Sequence, residues 1–331
     1  MPARAARSPN EPRTSVRAAV ARGARGRSST SSSYEFDNHS QKALGSLNVT
    51  SHTSGVLAPF ALDFLQRGML GGALVAVLCA VVGTWVVIRG MAFLGEALAH
   101  GMLPGVALAT VLSLPVLVGG ALSAIAMSLG IGVLQRRARL SYDTSIGLLF
   151  VSMLALGVII ISHSGSFATD ATAILFGDIL AISETDLVLL AAAAALGLLT
   201  AAMLHRSFVA LSLDARIASV LGLRPQIAQA ALVGLVTLAV VASYQAVGSM
   251  LVVGLLLAPA VAAGHWTTRI PTRMALAALF GIAAVFFGLL ASWYAATAAG
   301  ASVAASAILL ACLSWAARAA FDSLGSRARR A

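Results

Sequence analysis

The sequence predicts an all-α polytopic membrane protein with about eight to nine transmembrane helices. Hydrophobic residues make up 59% of the 331-residue chain and charged residues only 10%, whereas soluble domains carry about 25% charged residues. The mean hydropathy is +0.91. The apolar residues also occur in runs of about 20, the length at which a helix crosses a bilayer, and the short alternating segments of a transmembrane β-barrel are absent from the sequence.

Nine apolar runs are predicted to span the membrane. They lie at about 68–88, 91–112, 115–135, 145–162, 185–204, 226–243, 247–265, 274–293 and 302–317. A shorter segment, 170–182, contains two aspartates and is predicted to be a surface or re-entrant helix. Residues 1–56 are rich in Ser and Arg without apolar periodicity, so they predict a disordered basic tail. The transmembrane domain is therefore expected at 57–320, followed by a basic cytoplasmic tail at 321–331.

Arginines occur in alternate connections, from Arg89 to the C-terminal cluster, and the intervening connections have none. The positive-inside rule places the arginine-bearing connections in the cytoplasm. This distribution explains the net charge of +10 as a topology signal and argues against nucleic-acid binding. The only lysine is Lys42, so the P-loop motif G-x-x-x-x-G-K-[ST] is absent. If the protein uses ATP, another chain must hydrolyse it.

One apolar run contains an acid and a histidine, Glu96 and His100. Their spacing of four places both side chains on one face of a helix. Ionisable groups within a membrane are costly and usually line a transport pathway, so the pair is predicted to bind a passing divalent metal. The alternative is a Glu–His hydrogen bond that only locks helix packing. One copy supplies two ligands, so a twofold homodimer would supply four.

The connection before the sixth span suggests a short helix, capped by Asp214 and ended by Gly222. Its small apolar face consists of Ala215, Ala218 and Leu221. We predict that it docks on a soluble partner; the alternative is a simple amphipathic connector. His163, expected at the outer mouth, is either a solvated loop residue or a possible entry ligand for the metal.

Over residues 57–317 the chain resembles permease subunits of the zinc/manganese/iron-type ABC importer family. Four segments carry the resemblance: Phe93–His100 with Leu103-Pro104-Gly105, Tyr142–Gly147, Asp214–Gly222, and Val247–Ala263 with its Pro259. The resemblance implies a homodimeric or pseudo-dimeric bacterial plasma-membrane permease with separate ABC ATPase subunits and an extracytoplasmic metal-binding protein. It makes 214–222 the ATPase-coupling helix. The family commonly has Asp where this chain has Glu96.

The predicted function is therefore import of divalent transition metal ions, with zinc first and manganese or iron next. The metal is cargo, and no permanently bound cofactor or enzymatic activity is expected. Two alternatives belong to other classes. An ion-coupled secondary transporter would work without an ATPase. An intramembrane hydrolase is disfavoured because the sequence lacks H-E-x-x-H and G-x-S-x-G.

Overall fold

The structure is a computed structural model that describes residues 58–138, 140–163, 177, 179–213 and 222–328. Every regular element in these ranges is a helix. A short 3-10 helix, Ala58–Ala61, comes first. The helices that follow are α1 Asp63–Ile88, α2 Ala92–Gly101, α3 Leu103–Val111, α4 Val116–Arg137, α5 Tyr142–His163, α6 Glu184–Met203, α7 His205–Leu213, α8 Pro225–Gly264, α9 Ile270–Ala295 and α10 Ala299–Ala328.

The predicted fold class is confirmed. Eight helices in the described ranges are long and apolar enough to cross a membrane, with α2 and α3 counted together as 92–111. A shorter apolar helix, Met250–Gly264, lies within α8. The first span begins at Asp63, five residues before the predicted start, and the fourth begins at Tyr142.

Helix α8 consists of two arms that meet at Gly248, whose φ of 74° and ψ of 165° are not helical and suit glycine. Gln229 in the first arm contacts the sulfur of Met91, and Leu256 in the second arm lies against Gly95. A straight helix would hold residues 27 positions apart at roughly 40 Å. Both residues instead reach the same stretch of chain, so the two arms run in opposite directions. They correspond to the separately predicted sixth and seventh spans.

The described end of the polar segment 170–182 packs over this reversal. Gly177 has a φ of +57°, and an added Cβ there would meet the backbone at Gly248. Ile179 is 1% exposed and Ile182 is 4% exposed, and Ile179 packs against Gly68 of α1. Residues 179–182 form a turn and not the predicted helix. The remaining positions, including Asp170 and Asp178, lie outside the described residues.

Helix α1 lies at the centre of the helix packing, because small residues let its neighbours approach closely. Gly83 lies against the backbone of Leu256, and Gly72 lies against Val285 of α9. Near its arginine-bearing end, the fully buried Trp85 packs edge-on against Phe208 of α7 at 5.3 Å between ring centroids. This packing fixes the end of α1, from which the chain turns into α2.

Candidate metal pathway

The turn between α1 and α2 sets the orientation of the candidate metal ligands. Gly90 has a φ of +67°, a left-handed conformation that glycine adopts without a steric penalty. Helix α2 begins two residues later. Its Leu94 and Leu98 are fully buried, which fixes the face that packs into the bundle and leaves Glu96 and His100 on another side.

The structure brings the two predicted ligands together. His100 Nε2 lies 2.8 Å from Glu96 Oε1, and the side chains are 18% and 38% exposed, respectively. Phe150 of α5 packs edge-on against the imidazole, with ring centroids 5.7 Å apart, and Phe93 packs against the same phenyl ring. The hydrogen bond joins two residues of one helix, so it does not by itself fasten α2 to a neighbour.

The depth of the pair makes its exposure unusual. His100 lies eight residues after the start of α2, about 12 Å along the helix, within an apolar core about 30 Å thick. Glu96 lies one turn earlier, about 6 Å along the helix, and a carboxylate costs at least about 2.5 kcal/mol at the centre of the bilayer if it faces lipid. The exposed surface of Glu96 therefore requires cover from protein or a water-filled path.

One chain does not complete a metal site in the described ranges. These ranges contain no group of three or more His, Cys, Asp or Glu side chains placed to hold a metal ion. Glu96 and His100 supply two donor side chains, whereas a protein-bound transition metal such as zinc takes four ligands. The remaining donors must come from water, from the backbone or from another chain.

The Pro104-Gly105 motif positions this helix against α4. The helix is interrupted at Met102, between α2 and α3, and Pro104 occupies the first turn of α3. Gly105 and Gly119 pack so closely that an added Cβ on either would meet the backbone of the other. Ser123 donates a hydrogen bond of 2.7 Å to the carbonyl of Gly101. These contacts fix the helix end just beyond His100.

The other predicted site residues are only partly described. Gly222 is exposed, with a φ of +71° and open space around an added Cβ. Pro259 lies inside the second arm of α8. His163 is the last residue of α5, but its side chain lies outside the described part. The remaining members of the predicted coupling helix also lie outside it: Asp214, Ala215, Ala218 and Leu221.

Arg89 makes contacts that its role as a topology marker in the sequence did not predict. Its guanidinium donates to the carbonyl of Leu211 and, at 2.9 Å, to the side-chain oxygen of Gln229. Burial lowers the pKa of Arg89 from its ordinary value, although a guanidinium stays protonated in proteins. Arg89 therefore joins the end of α1 to Leu211, three residues before the predicted coupling segment begins. The available sequence signal was an arginine followed by glycine directly after an apolar run.

A bundle of membrane-length helices with a partly exposed carboxylate–imidazole pair at mid-depth defines a multi-pass membrane transport protein. The model of the ABC 3 transport family matches residues 61–318. The chain belongs to this family. It is thus a permease subunit of a metal-ion ABC importer in the bacterial plasma membrane, and ATP hydrolysis is carried out by a separate subunit.

Similar proteins come from several bacteria. The manganese transport system membrane protein MntC of Halalkalibacterium halodurans is 33% identical over 241 residues, which are 73% of this chain and 82% of the relative. The chelated iron transport system membrane protein YfeD of Yersinia pestis is 32% identical over a region that covers 73% of this chain and 81% of the length of YfeD. A solved structure, PsaBC from Streptococcus pneumoniae in complex with Fab, aligns with a TM-score of 0.68 at 30% identity. The alignment covers 77% of this chain and 91% of that one.

Proposed function

We propose that two copies of this chain enclose one metal pathway, and that Glu96 and His100 of both copies bind the passing ion. The observation that carries the proposal is the partial exposure of a hydrogen-bonded carboxylate–imidazole pair at mid-membrane depth. A twofold axis beside this face would cover the polar surface and bring together two carboxylates and two imidazoles. Four such donors suffice for a transition metal.

The resting Glu96–His100 bond suits a transient site. The imidazole and carboxylate hold each other until an ion arrives, so the empty pair has a partner. A metal must displace the 2.8 Å contact and therefore binds less tightly than it would to free ligands. Conduction needs this balance, because an ion that binds too strongly does not leave.

Manganese is the cargo we place first, with zinc and iron next. Carboxylate oxygens suit Mn²⁺, and imidazole suits zinc and iron, so the donor set admits all three. The names of similar proteins refer to manganese and iron. Glu96 also keeps a hard oxygen donor where the family commonly has the shorter Asp. Zinc, the first metal predicted from the sequence, is tested in the same experiment.

Uptake in a strain lacking this gene tests the order of metals. Cells carrying the wild-type gene and its partner genes are supplied with radiolabelled Mn²⁺, Zn²⁺ or Fe²⁺ at equal concentration, and each metal is competed against the others. We expect manganese uptake to be restored and to be inhibited least by the other ions. Restoration of zinc uptake alone would overturn the order, and restoration of none would overturn the cargo class.

We further propose that residues 214–222 couple the pathway to an ABC ATPase subunit, and that an extracytoplasmic metal-binding protein delivers the ion. The Arg89–Leu211 contact supports the coupling role, because it ties the chain just before Asp214 to the turn that leads from α1 into α2. Gly222→Val should disrupt the left-handed end of this segment, whereas Gly222→Asn should retain coupling, since Asn tolerates that conformation.

Purified permease in vesicles tests the coupling. With the ATPase subunit and ATP, wild-type and Gly222→Asn chains should transport metal, and Gly222→Val should lose both ATPase binding and transport. Transport by the wild-type chain without any ATPase would instead support the ion-coupled secondary transporter.

A further inference from the structure

A long groove of ≈ 1090 Å³ runs between α4 and the first arm of α8. A hydrogen bond of 2.8 Å between Ser128 and Thr237 joins the two helices along it. Most of its wall is apolar and comes from both helices, including Ala121, Ile125, Leu129, Val133, Val233 and Leu238. The groove is therefore an apolar trough within the membrane-spanning part of the chain.

The charged side chains of the groove lie at one end. Arg89 and Arg136 line that end, together with Gln226, Gln229 and Tyr142. A smaller cavity of ≈ 450 Å³ shares Arg89, Gln229 and Tyr142 and adds one acid, Asp143. The two guanidinium groups therefore outnumber the one carboxylate, and this end of the groove favours an anion.

Two buried donors in this polar end lack a hydrogen-bond partner. Arg89 uses its two terminal nitrogens on Leu211 and Gln229, but its Nε has no partner. The Tyr142 hydroxyl lies near Gln229 without hydrogen-bond geometry to it. Buried donors without acceptors are costly, so both would gain from the oxygen atoms of a bound ligand.

The length of the groove matches one leaflet of a bilayer. Its wall on α4 extends from Ala121 to Arg136, a rise of about 22 Å along a helix. Half of a bilayer, with its headgroup region, measures about 20–22 Å. The positive-inside rule places the arginine end at the cytoplasmic surface, where the leaflet carries anionic lipid headgroups.

The groove is distinct from the candidate metal pathway. Gln229, which lines the groove, contacts α2 through Met91. Met91 directly precedes the first residue of α2, and neither Glu96 nor His100 lines the groove.

We propose that this groove binds one glycerophospholipid with an anionic headgroup. Its phosphate accepts hydrogen bonds from Arg89 and Tyr142 and pairs with Arg136, and an acyl chain lies along the apolar wall between α4 and α8. The lipid headgroup would lie beside the Arg89–Leu211 hydrogen bond, because both residues line the groove.

Two glycines provide variants that block the groove without disturbing the fold. Gly132 and Gly234 line the groove, and an added Cβ at either meets nothing within 4 Å. Gly132→Leu and Gly234→Leu would fill the trough and also raise helix propensity. Gly147→Leu on α5 is the matched control, because its Cβ also meets open space and it does not line the groove.

Lipid retained by the purified full-length chain, measured by native mass spectrometry, tests the proposal. After delipidation, the protein is offered phosphatidylglycerol, phosphatidylcholine or inorganic phosphate. We expect wild type and Gly147→Leu to retain phosphatidylglycerol in preference to phosphatidylcholine, and both groove-filling variants to lose this retention. Binding of phosphate alone would show an anion site without a lipid groove and would overturn the proposal.

Two neighbouring arginines separate the headgroup contact from general surface charge. Arg136 lines the groove, while the adjacent, exposed Arg137 does not. Arg136→Gln should weaken phosphatidylglycerol binding about fivefold, the change implied by one guanidinium near an anionic surface, and Arg137→Gln should change it less. Equal effects would overturn the headgroup assignment.

The groove-filling variants Gly132→Leu and Gly234→Leu also test a competing occupant. If they retain lipid as wild type does but no longer form a dimer, a second copy of the chain occupies the groove and the lipid proposal is overturned.

Discussion

Two polar regions lie close together along the chain and are treated differently by the fold. At the end of α1, Arg89 bonds to Leu211 and Gln229, which belong to distant parts of the same chain. Further along α2, Glu96 and His100 bond to each other and remain partly exposed. The chain provides partners for the charge at the span end and leaves the mid-membrane pair open.

This difference separates a structural role from a transport role. A charged group with protein partners on two other helical segments holds those segments in place, and its loss leaves buried acceptors without donors. A polar pair whose hydrogen bond stays within one helix, and whose described contact with a neighbouring helix is one aromatic edge, contributes less to the packing of helices. Its presence within an apolar span needs another reason, and the ion passage that we propose would provide one.

The largest expected effect is on transport at the mid-membrane pair. Glu96→Ala and His100→Ala should abolish metal uptake, because in a dimer each change removes two ligands at once. The amount of inserted protein and its thermal stability should change little, since neither side chain bonds to a second helix. Radiolabelled-metal uptake and membrane protein levels, measured on the same cells, check both expectations.

A conservative change sharpens this test. Glu96→Asp keeps the carboxylate and matches the residue common in the family, so uptake should persist at a reduced level. Full uptake by a well-expressed His100→Ala variant would contradict the assignment of the pathway. Loss of folded protein in the same variant would show that Glu96 and His100 stabilise the fold.

The second expected effect is on stability at Arg89. Arg89→Ala should destabilise the folded chain by about 2–3 kcal/mol, because hydrogen bonds to a charged group typically contribute about 1.5–3 kcal/mol. Arg67→Ala is the control: its ion pair with Glu184, at 3.0 Å, is well exposed, and such pairs contribute about 0–1 kcal/mol. Thermal unfolding in detergent measures both.

Transport assays then distinguish the two polar regions. If Arg89 acts through structure, uptake by Arg89→Ala should fall in step with the amount of folded protein. A fully stable Arg89→Ala variant would show that the contacts seen at the span end do not hold the fold together.

Local sequence patterns predicted the features that depend on neighbouring residues. Apolar run length gave the helical class, and a spacing of four brought Glu96 and His100 together. The contacts of Arg89 were beyond such patterns, because its partners lie 122 and 140 residues away. The turn at Ile179–Ile182 was missed for a similar reason: its burial depends on glycines of α1 that allow close approach. The coupling segment and the dimer remain predictions.

The smallest expected effect concerns the tail, which should serve neither polar region. The first described contacts of the membrane domain begin at its 3-10 helix, where Phe60 stacks on Phe286 at 5.0 Å and the Phe60 carbonyl accepts a hydrogen bond from Gln66. A variant that starts at Val56 keeps both contacts, so its uptake and unfolding temperature should equal those of the full chain. A variant that starts at Asp63 loses the stacked pair, which contributes about 0.5–1.5 kcal/mol beyond its buried area, and should be measurably less stable. Reduced insertion or uptake by the Val56 variant would instead identify residues 1–55 as a targeting or regulatory element.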